Sequence, residues 1–433
     1  MLSLHLHESC ENIADHTCLL LFFCNEFYNK SRKILSIIFQ AMCYTFSVIK
    51  IYQKAGIKLV LRLSLSQMLF NAIFQFSNLF INAYLFKENQ DVQVVALYNF
   101  FVYLFWGVCF YFGFKICELN TRIAQSLSGV TCLIGVLLLL FDVQNFFLLG
   151  LCIGATGGFF WTSYLSTYRL LGSKSENGGT FAKVSLLSSV ISIFIPILFG
   201  YLVEGSSYFI GFIVLLILSI LMIVISFFLP AISTNPIKLS KPSFKHPGFI
   251  FANVLQGFYF AFVSIAAGFL IFMAGNSEAS VGAFATYFGL VTVVVTFLIA
   301  YVLPPTIQKT LLIGSAVLYL LSSTLFLTEW AYTIIIFNFL LAFAGPCFNN
   351  PNVGLNFSYI NHRFNNGEEG LLIREFSMTI GRLFFFGYMA INGLDVQSLS
   401  FYIFLFIAST FPLVISFAIQ RWSWNQTVKE TTA

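Results

Sequence analysis

The chain has 433 residues, of which 58% are hydrophobic and 9% charged. A soluble domain of this size carries about a quarter charged residues, so a water-soluble fold is excluded. The net charge of +5 is spread over many short polar segments, which argues against a nucleic-acid surface.

Residues 1–60 precede the long apolar stretches. His5, His7, Cys10, His16 and Cys18 carry metal-ligating groups, but their spacing fits no zinc pattern, and no metal is expected. No basic region precedes Leu19–Phe23, as a signal peptide would require. The segment, with its apolar run over 34–49, is expected to be a poorly packed cytoplasmic or interfacial extension.

From there the chain reads as twelve apolar stretches, near 63–86, 94–114, 123–141, 146–169, 180–202, 207–230, 248–273, 281–302, 309–327, 330–359, 370–392 and 398–420. Each is long enough for a bilayer core of about 30 Å. Spanning segments must satisfy their backbone internally, as helices or a closed barrel. These are too long and too uniformly apolar for barrel strands, which alternate over about ten residues. The prediction is an all-α polytopic membrane protein.

Cations occupy every second loop: Lys115 and Arg122, Arg169 and Lys174, then Lys238, Lys241 and Lys245, Lys309, and Arg363, with Arg421 and Lys429 beyond the last span. The alternate loops hold Lys87 as their one cation, among Glu88, Asp91, Asp142, Glu204, Glu278, Glu329 and Asp395. The positive-inside rule places the first set and both termini in the cytoplasm. Residues 231–247, with Pro236, Pro242 and Pro247, read as a linker between six-helix bundles over 61–230 and 248–422, and 423–433 as a cytoplasmic tail. The bundles echo each other: Gly179 is followed by Lys183, and Gly370 by Arg374, each after an Asn-Gly turn. The nine cysteines show no paired spacing, and no disulfides are expected.

Polar side chains inside spans face a cavity or another helix. At 100° per residue, Asn71, Gln75, Asn78 and Asn82 of span one share an arc of about 60°. Span ten carries Asn338, Asn349, Asn352 and Asn356, span seven Asn253 and Gln256, and span four Thr156, Trp161 and Ser163. Amides can glue helices; three amide stripes together point to a solvated cavity.

Twelve spans, both ends inside, a basic linker after the sixth, and polar faces on spans one, four, seven and ten resemble the major facilitator superfamily over roughly residues 60–422. The resemblance implies two halves rocking about a midplane site. The family's loop after span two reads Gly-x-Leu-x-Asp-Arg-x-Gly-Arg-Arg; here Gly113 and Arg122 match, Cys117 stands where the Asp belongs, and Glu118 follows it. The family's antiporter motif survives only as Pro196 and Gly200, which suits a kinked helix better than exchange chemistry. Gly150, Gly154 and Gly158 are expected to allow close helix packing, and Pro346 and Pro351 to free carbonyls in span ten.

Arg374, Glu375 and Arg382 are charges inside span eleven, and a midplane Arg must be paired or hydrated. Three readings stand: a structural ion pair, a cytoplasmic gate of Glu375 with Lys183, or capture of an anionic solute by Arg382. Glu375 is also the candidate for proton coupling, and H+ and Na+ stay open as coupling ions. The expectation is a monomeric secondary transporter of the plasma membrane, not an enzyme and without a cofactor, moving a neutral polar or amphipathic organic solute. The alternative is a non-transporting regulator or scaffold of the same fold.

Overall fold

The structure, a computed structural model, describes residues 57–143, 145–171, 193–234, 246–265, 277–299, 303, 307–325, 333–364, 366–393 and 403–418. The expectations for residues 1–56, for Lys183 and the start of span five, for the middle of the linker and for the tail fall outside them.

Twelve helices run through the described residues: α1 (Leu61–Asn89), α2 (Val92–Cys117), α3 (Thr121–Leu140), α4 (Phe146–Leu171), α5 (Phe194–Gly205), α6 (Tyr208–Phe228), α7 (Pro247–Ile265), α8 (Glu278–Phe297), α9 (Gln308–Thr324), α10 (Thr333–Arg363), α11 (Gly367–Asn392) and α12 (Ile403–Ala418). Helices α1, α2, α3, α4, α6, α8 and α10 are long and apolar enough to cross a membrane, and α5, α7, α9 and α12 are shorter apolar helices. Helix α11 has 26 residues, but its charged side chains dilute its hydropathy.

Turns between helices are tight because a side-chain oxygen takes over an unpaired amide at the next helix start. Asp91 accepts from the Gln93 N–H at 2.8 Å, Asn120 from Arg122 at 2.9 Å, Ser277 from Ser280 at 3.2 Å and Asn366 from Glu368 at 3.1 Å. The Asn-Gly turn before span eleven is therefore an N-cap.

Within the first half α2 packs on α4, and α3 lies against α4 and α6; within the second, α7 packs on α11 and α10 on α8 and α9. The glycine ridge of α4 rests on the α2 backbone: a Cβ on Gly158 would lie 2.6 Å from the Trp106 carbonyl oxygen, and one on Gly154 would collide with that of Val102. This is the close approach expected of that ridge.

The halves meet along two further pairs, α2 with α11 and α5 with α8. A two-fold that carries each helix to the one six places on exchanges these pairs. Both contacts need small residues. A Cβ on Gly107 would come within 2.8 Å of Thr379, and one on Gly200 within 2.7 Å of the Glu278 carbonyl. The Thr286 hydroxyl donates to the Ile193 carbonyl at 3.0 Å, adding a hydrogen bond across the second pair. Outward faces carry large apolar side chains such as Leu198, Phe227 and Phe384, while Asn, Gln, Glu and Arg are buried within. That inversion of soluble-protein order suits a lipid surround.

Candidate functional site

Two cavities lie between the halves, of about 440 and 420 Å³, and Asn78 and Val263 line both. The first is an amide lobe. Gln75 and Asn78 reach it from α1, Thr292 and Thr296 from α8, and Asn338, Asn349 and Asn350 from α10. The second is an aromatic, charged lobe. Phe74 comes from α1, Tyr103 and Trp106 from α2, Trp161 from α4, Phe260 from α7, and Arg374, Glu375 and Arg382 from α11.

Local breaks in helix geometry shape the amide lobe. Helix α1 contains a π-helical turn, Ser77–Ile81, which brings Asn78 to the junction of the lobes; such widened turns recur at functional sites. In α10, Pro346 has no N–H for the Ala342 carbonyl. The Thr292 hydroxyl of α8 donates to that carbonyl instead, at 3.2 Å. Pro346 therefore opens the helix beside Asn349 and ties it to α8.

The charged lobe is built round an ion pair. Arg382 Nη1 donates to Glu375 Oε1 at 2.6 Å, with both side chains nearly buried. The Arg382 guanidinium lies 5.0 Å from the Tyr103 ring centroid and 5.5 Å from that of Trp106. Cation–π contact of this kind contributes about 0.5–2 kcal/mol, more when dry. Among the three expectations for span eleven, the internal ion pair is the arrangement observed; Lys183 lies outside the described residues. Arg374 is half-buried, lines the same lobe, and makes no hydrogen bond or ion pair among the described residues.

Other residues expected in the cavity are engaged elsewhere. Asn82 accepts from Asn99 Nδ2 at 2.9 Å and joins α1 to α2. Ser163 donates to the Thr121 carbonyl at 2.8 Å, and Thr156 meets Thr131 Oγ1 at 3.1 Å, both sewing α4 to α3. Asn253 donates to Asn356 across α7 and α10 at 3.4 Å, and Asn356 donates to the Asn352 side-chain oxygen at 3.1 Å. Asn71 is half-buried and Gln256 buried, and neither lines either lobe. On α1 the amide face runs for about three turns and crosses its neighbours at both ends, so Gln75 and Asn78 in its middle meet the void while Asn82 meets α2. Glu118 pairs with Lys115 in its own helix turn at 2.8 Å, and Arg122 donates from Nε to the Leu229 carbonyl, pinning α3 to the end of α6.

Tyr103, Trp106, Phe74 and Phe260 were not expected at the site. With 55 Phe and 19 Tyr along the chain, an aromatic residue carries no positional signal. A second unexpected cluster ties the halves at the end where α1 finishes and α8 starts. Lys87 forms an ion pair with Glu278, the Tyr208 hydroxyl donates to Glu278 Oε1 at 2.8 Å, and Glu204 accepts from the Ala279 N–H at 2.7 Å. Lys87 was legible as the one cation of its loop set, but its partner lies across the bundle.

A larger cleft of about 570 Å³ between α7, α11 and α12 has aliphatic and aromatic walls. Its exposed Phe384, Ile403 and Ile407 place it on the lipid-facing surface.

No family model matches the chain. It is 25% identical over 337 residues to the uncharacterized protein YqgE of Bacillus subtilis (strain 168), covering 71% of this chain and 76% of that protein. It is 28% identical over 137 residues to an uncharacterized protein in the sodM 3' region of Geobacillus stearothermophilus, covering 30% of this chain and 63% of that one. Among solved structures it resembles the human organic anion transporter MFSD10 (TETRAN), with a TM-score of 0.60 at 13% identity over 84% of this chain and 99% of that one. It also resembles the nucleoside transporter NupG, with a TM-score of 0.59 at 13% identity over 84% and 98%. The protein is thus a multi-pass integral membrane protein with the fold of the major facilitator transporters.

Proposed function

We propose that this protein is a secondary transporter that carries a small organic solute across the membrane by alternating access. The observation that carries this reading is the pair of adjacent cavities, each walled by both halves, that share Asn78 and Val263. Asn78 belongs to the first half, while Asn349, Arg374 and Arg382 come from the second. A rocking of the halves changes which side such a void meets. The size of each lobe is in the range of small-molecule sites.

The Lys87, Tyr208 and Glu278 cluster supports the second element of the reading, a gate. With the cation-rich loops and the termini assigned to the cytoplasm, as in a cell membrane, this cluster closes the outer end. Polar groups with no hydrogen-bond partner among the described residues support solute contact: Gln75 Oε1 and Asn349 Oδ1 are buried and belong to side chains that line the amide lobe. No hydrolytic chemistry is part of the proposal.

Counterflow in proteoliposomes with a solute panel tests it. The expected result is exchange of at least one solute, reduced roughly tenfold or more by Asn78→Leu through loss of a hydrogen bond in the site. Solutes that bind and stabilise the protein but never exchange would favour a regulator of the same fold.

A further inference from the structure

The aromatic lobe has more positive charge than its ion pair consumes. Among the described residues its lining holds two guanidinium groups, Arg374 and Arg382, and one carboxylate, Glu375. Glu375 is held by Arg382 at 2.6 Å, so that pair is internally balanced. Arg374 remains, facing the void with no ion-pair or hydrogen-bond partner among the described residues. Burying an unpaired cation is costly, and the cost falls when an anion is supplied. Trp106, in the wall of the same lobe, holds a second unused donor: its indole N–H is buried and has no hydrogen-bond partner among the described residues. Guanidinium and indole N–H groups only donate, so the unsatisfied chemistry of this wall calls for an acceptor carrying negative charge.

The remainder of the lobe calls for a flat apolar body. Phe74, Trp106, Trp161, Phe260 and Phe357 surround it, and Trp106 meets Phe74 edge to face at 5.4 Å between centroids. Past Asn78 the void changes character, to the neutral carbonyl and amide groups of Gln75, Asn338 and Asn349.

We propose that the transported solute is an amphipathic organic monoanion. Its carboxylate-like end sits between the Arg374 guanidinium and the Trp106 N–H, its aromatic or flat apolar body lies in the charged lobe, and any neutral polar end reaches the amide lobe. The inference rests on the transporter reading for the word transported, but the binding geometry stands without it. Arg382 acts as a positioning residue: its pairing with Glu375 keeps that carboxylate from capturing Arg374 and from repelling the solute.

The test uses the full chain in detergent and in proteoliposomes, with 2-naphthoate, 2-naphthamide and 2-naphthylmethylammonium as matched probes. Binding is read by thermal shift and by quenching of tryptophan fluorescence. The expected order is carboxylate well ahead of amide and ammonium. Arg374→Gln should weaken naphthoate roughly ten- to a hundredfold, the range of a charge-assisted hydrogen bond, and leave naphthamide nearly unchanged. Trp106→Phe should weaken naphthoate by roughly two- to tenfold, as for a neutral donor. If Arg374→Gln does not fold, Arg374→Lys takes its place and must keep the anion preference at reduced affinity, since lysine retains charge without the planar fork. Equal or tighter binding of the amide or ammonium, no binding of any probe, or naphthoate affinity indifferent to the Arg374 variants overturns the proposal. Selective naphthoate binding with no counterflow leaves the anion site standing and sinks the transport reading, and counterflow of neutral solutes alone does the reverse.

Discussion

Removing the Glu375 carboxylate leaves the Arg382 guanidinium buried between Tyr103 and Trp106 without its counter-ion. Breaking a buried pair from one side costs about 3–5 kcal/mol, whereas replacing both partners by apolar groups can be neutral. Glu375→Gln should therefore lower the melting temperature sharply, and Glu375→Gln with Arg382→Met should recover most of the loss; a double variant no more stable than the single would show that the pair is not the cause. Neighbouring asparagines on α1 separate in the same way. Asn78 lines the void, while Asn82 is spent on Asn99. A cysteine placed at 78 or 349 should react with a membrane-impermeant maleimide, and one at 82 should not. Asn82→Leu should cost about 1 kcal/mol of stability and leave solute affinity intact, in a calorimetric comparison with Asn78→Leu. At this scale the sequence was a partial guide. Gln75, Asn78, Trp161, Asn338, Asn349 and Arg382, which line the two cavities, were legible as candidates because a polar or charged group in a lipid-spanning segment needs a reason. Asn82, Thr156, Ser163 and Asn253 had the same signature and a different reason.

Two helices are interrupted where they border the amide lobe: α1 at its π-helical turn and α10 at Pro346. Pro346 was visible in the sequence, and so was the carbonyl it frees, four residues back. The acceptor's new partner was not, because Thr292 is one of many hydroxyls in apolar helices and only packing of α8 on α10 selects it. Thr292→Val should orphan the Ala342 carbonyl and lower unfolding stability by about 1–3 kcal/mol, with Thr292→Ser close to wild type in thermal denaturation. If valine and serine variants melt together, the hydroxyl has no such role. Helix α11 shows the converse. Its charges spoil it as an apolar span, yet it packs on both α2 and α7, so its charged face is covered by protein rather than lipid.

In the proposed transport cycle, closure of one end of the molecule rests on a small cluster among the described residues. Lys87, Tyr208 and Glu204 of the first half converge on Glu278 and Ala279 of the second. Lys87 is nearly half exposed, so its ion pair contributes about 1 kcal/mol or less. That suffices to bias two states of similar energy, since 1.4 kcal/mol is about tenfold in population. Glu278→Gln should therefore raise the rate at which a cysteine at position 78 is labelled from the Glu278 side, without unfolding the protein. Unchanged labelling in that variant would mean the cluster does not gate.

The sequence by itself determined the solvent and the helical class, and led to an expectation of twelve spans grouped in sixes. Each of these follows from a local sum, of hydropathy over a bilayer's thickness or of charge over a short loop, and local sums need no partners. It did not determine which polar faces are wet. A helix in a bundle has several neighbours, and the residues that face a void differ from those that face a helix only through the positions of other chain segments. Tertiary structure alone decided that Arg382 belongs to Glu375 and to the rings of α2, that Arg374 is left facing the cavity, and that Lys87 finds its counter-ion across the halves. Glu375 is a near neighbour of Arg382 on one helix, but the contacts of Arg382 with the α2 rings and of Lys87 with Glu278 join residues far apart in the chain, where side-chain chemistry proposes many partners and packing geometry admits one.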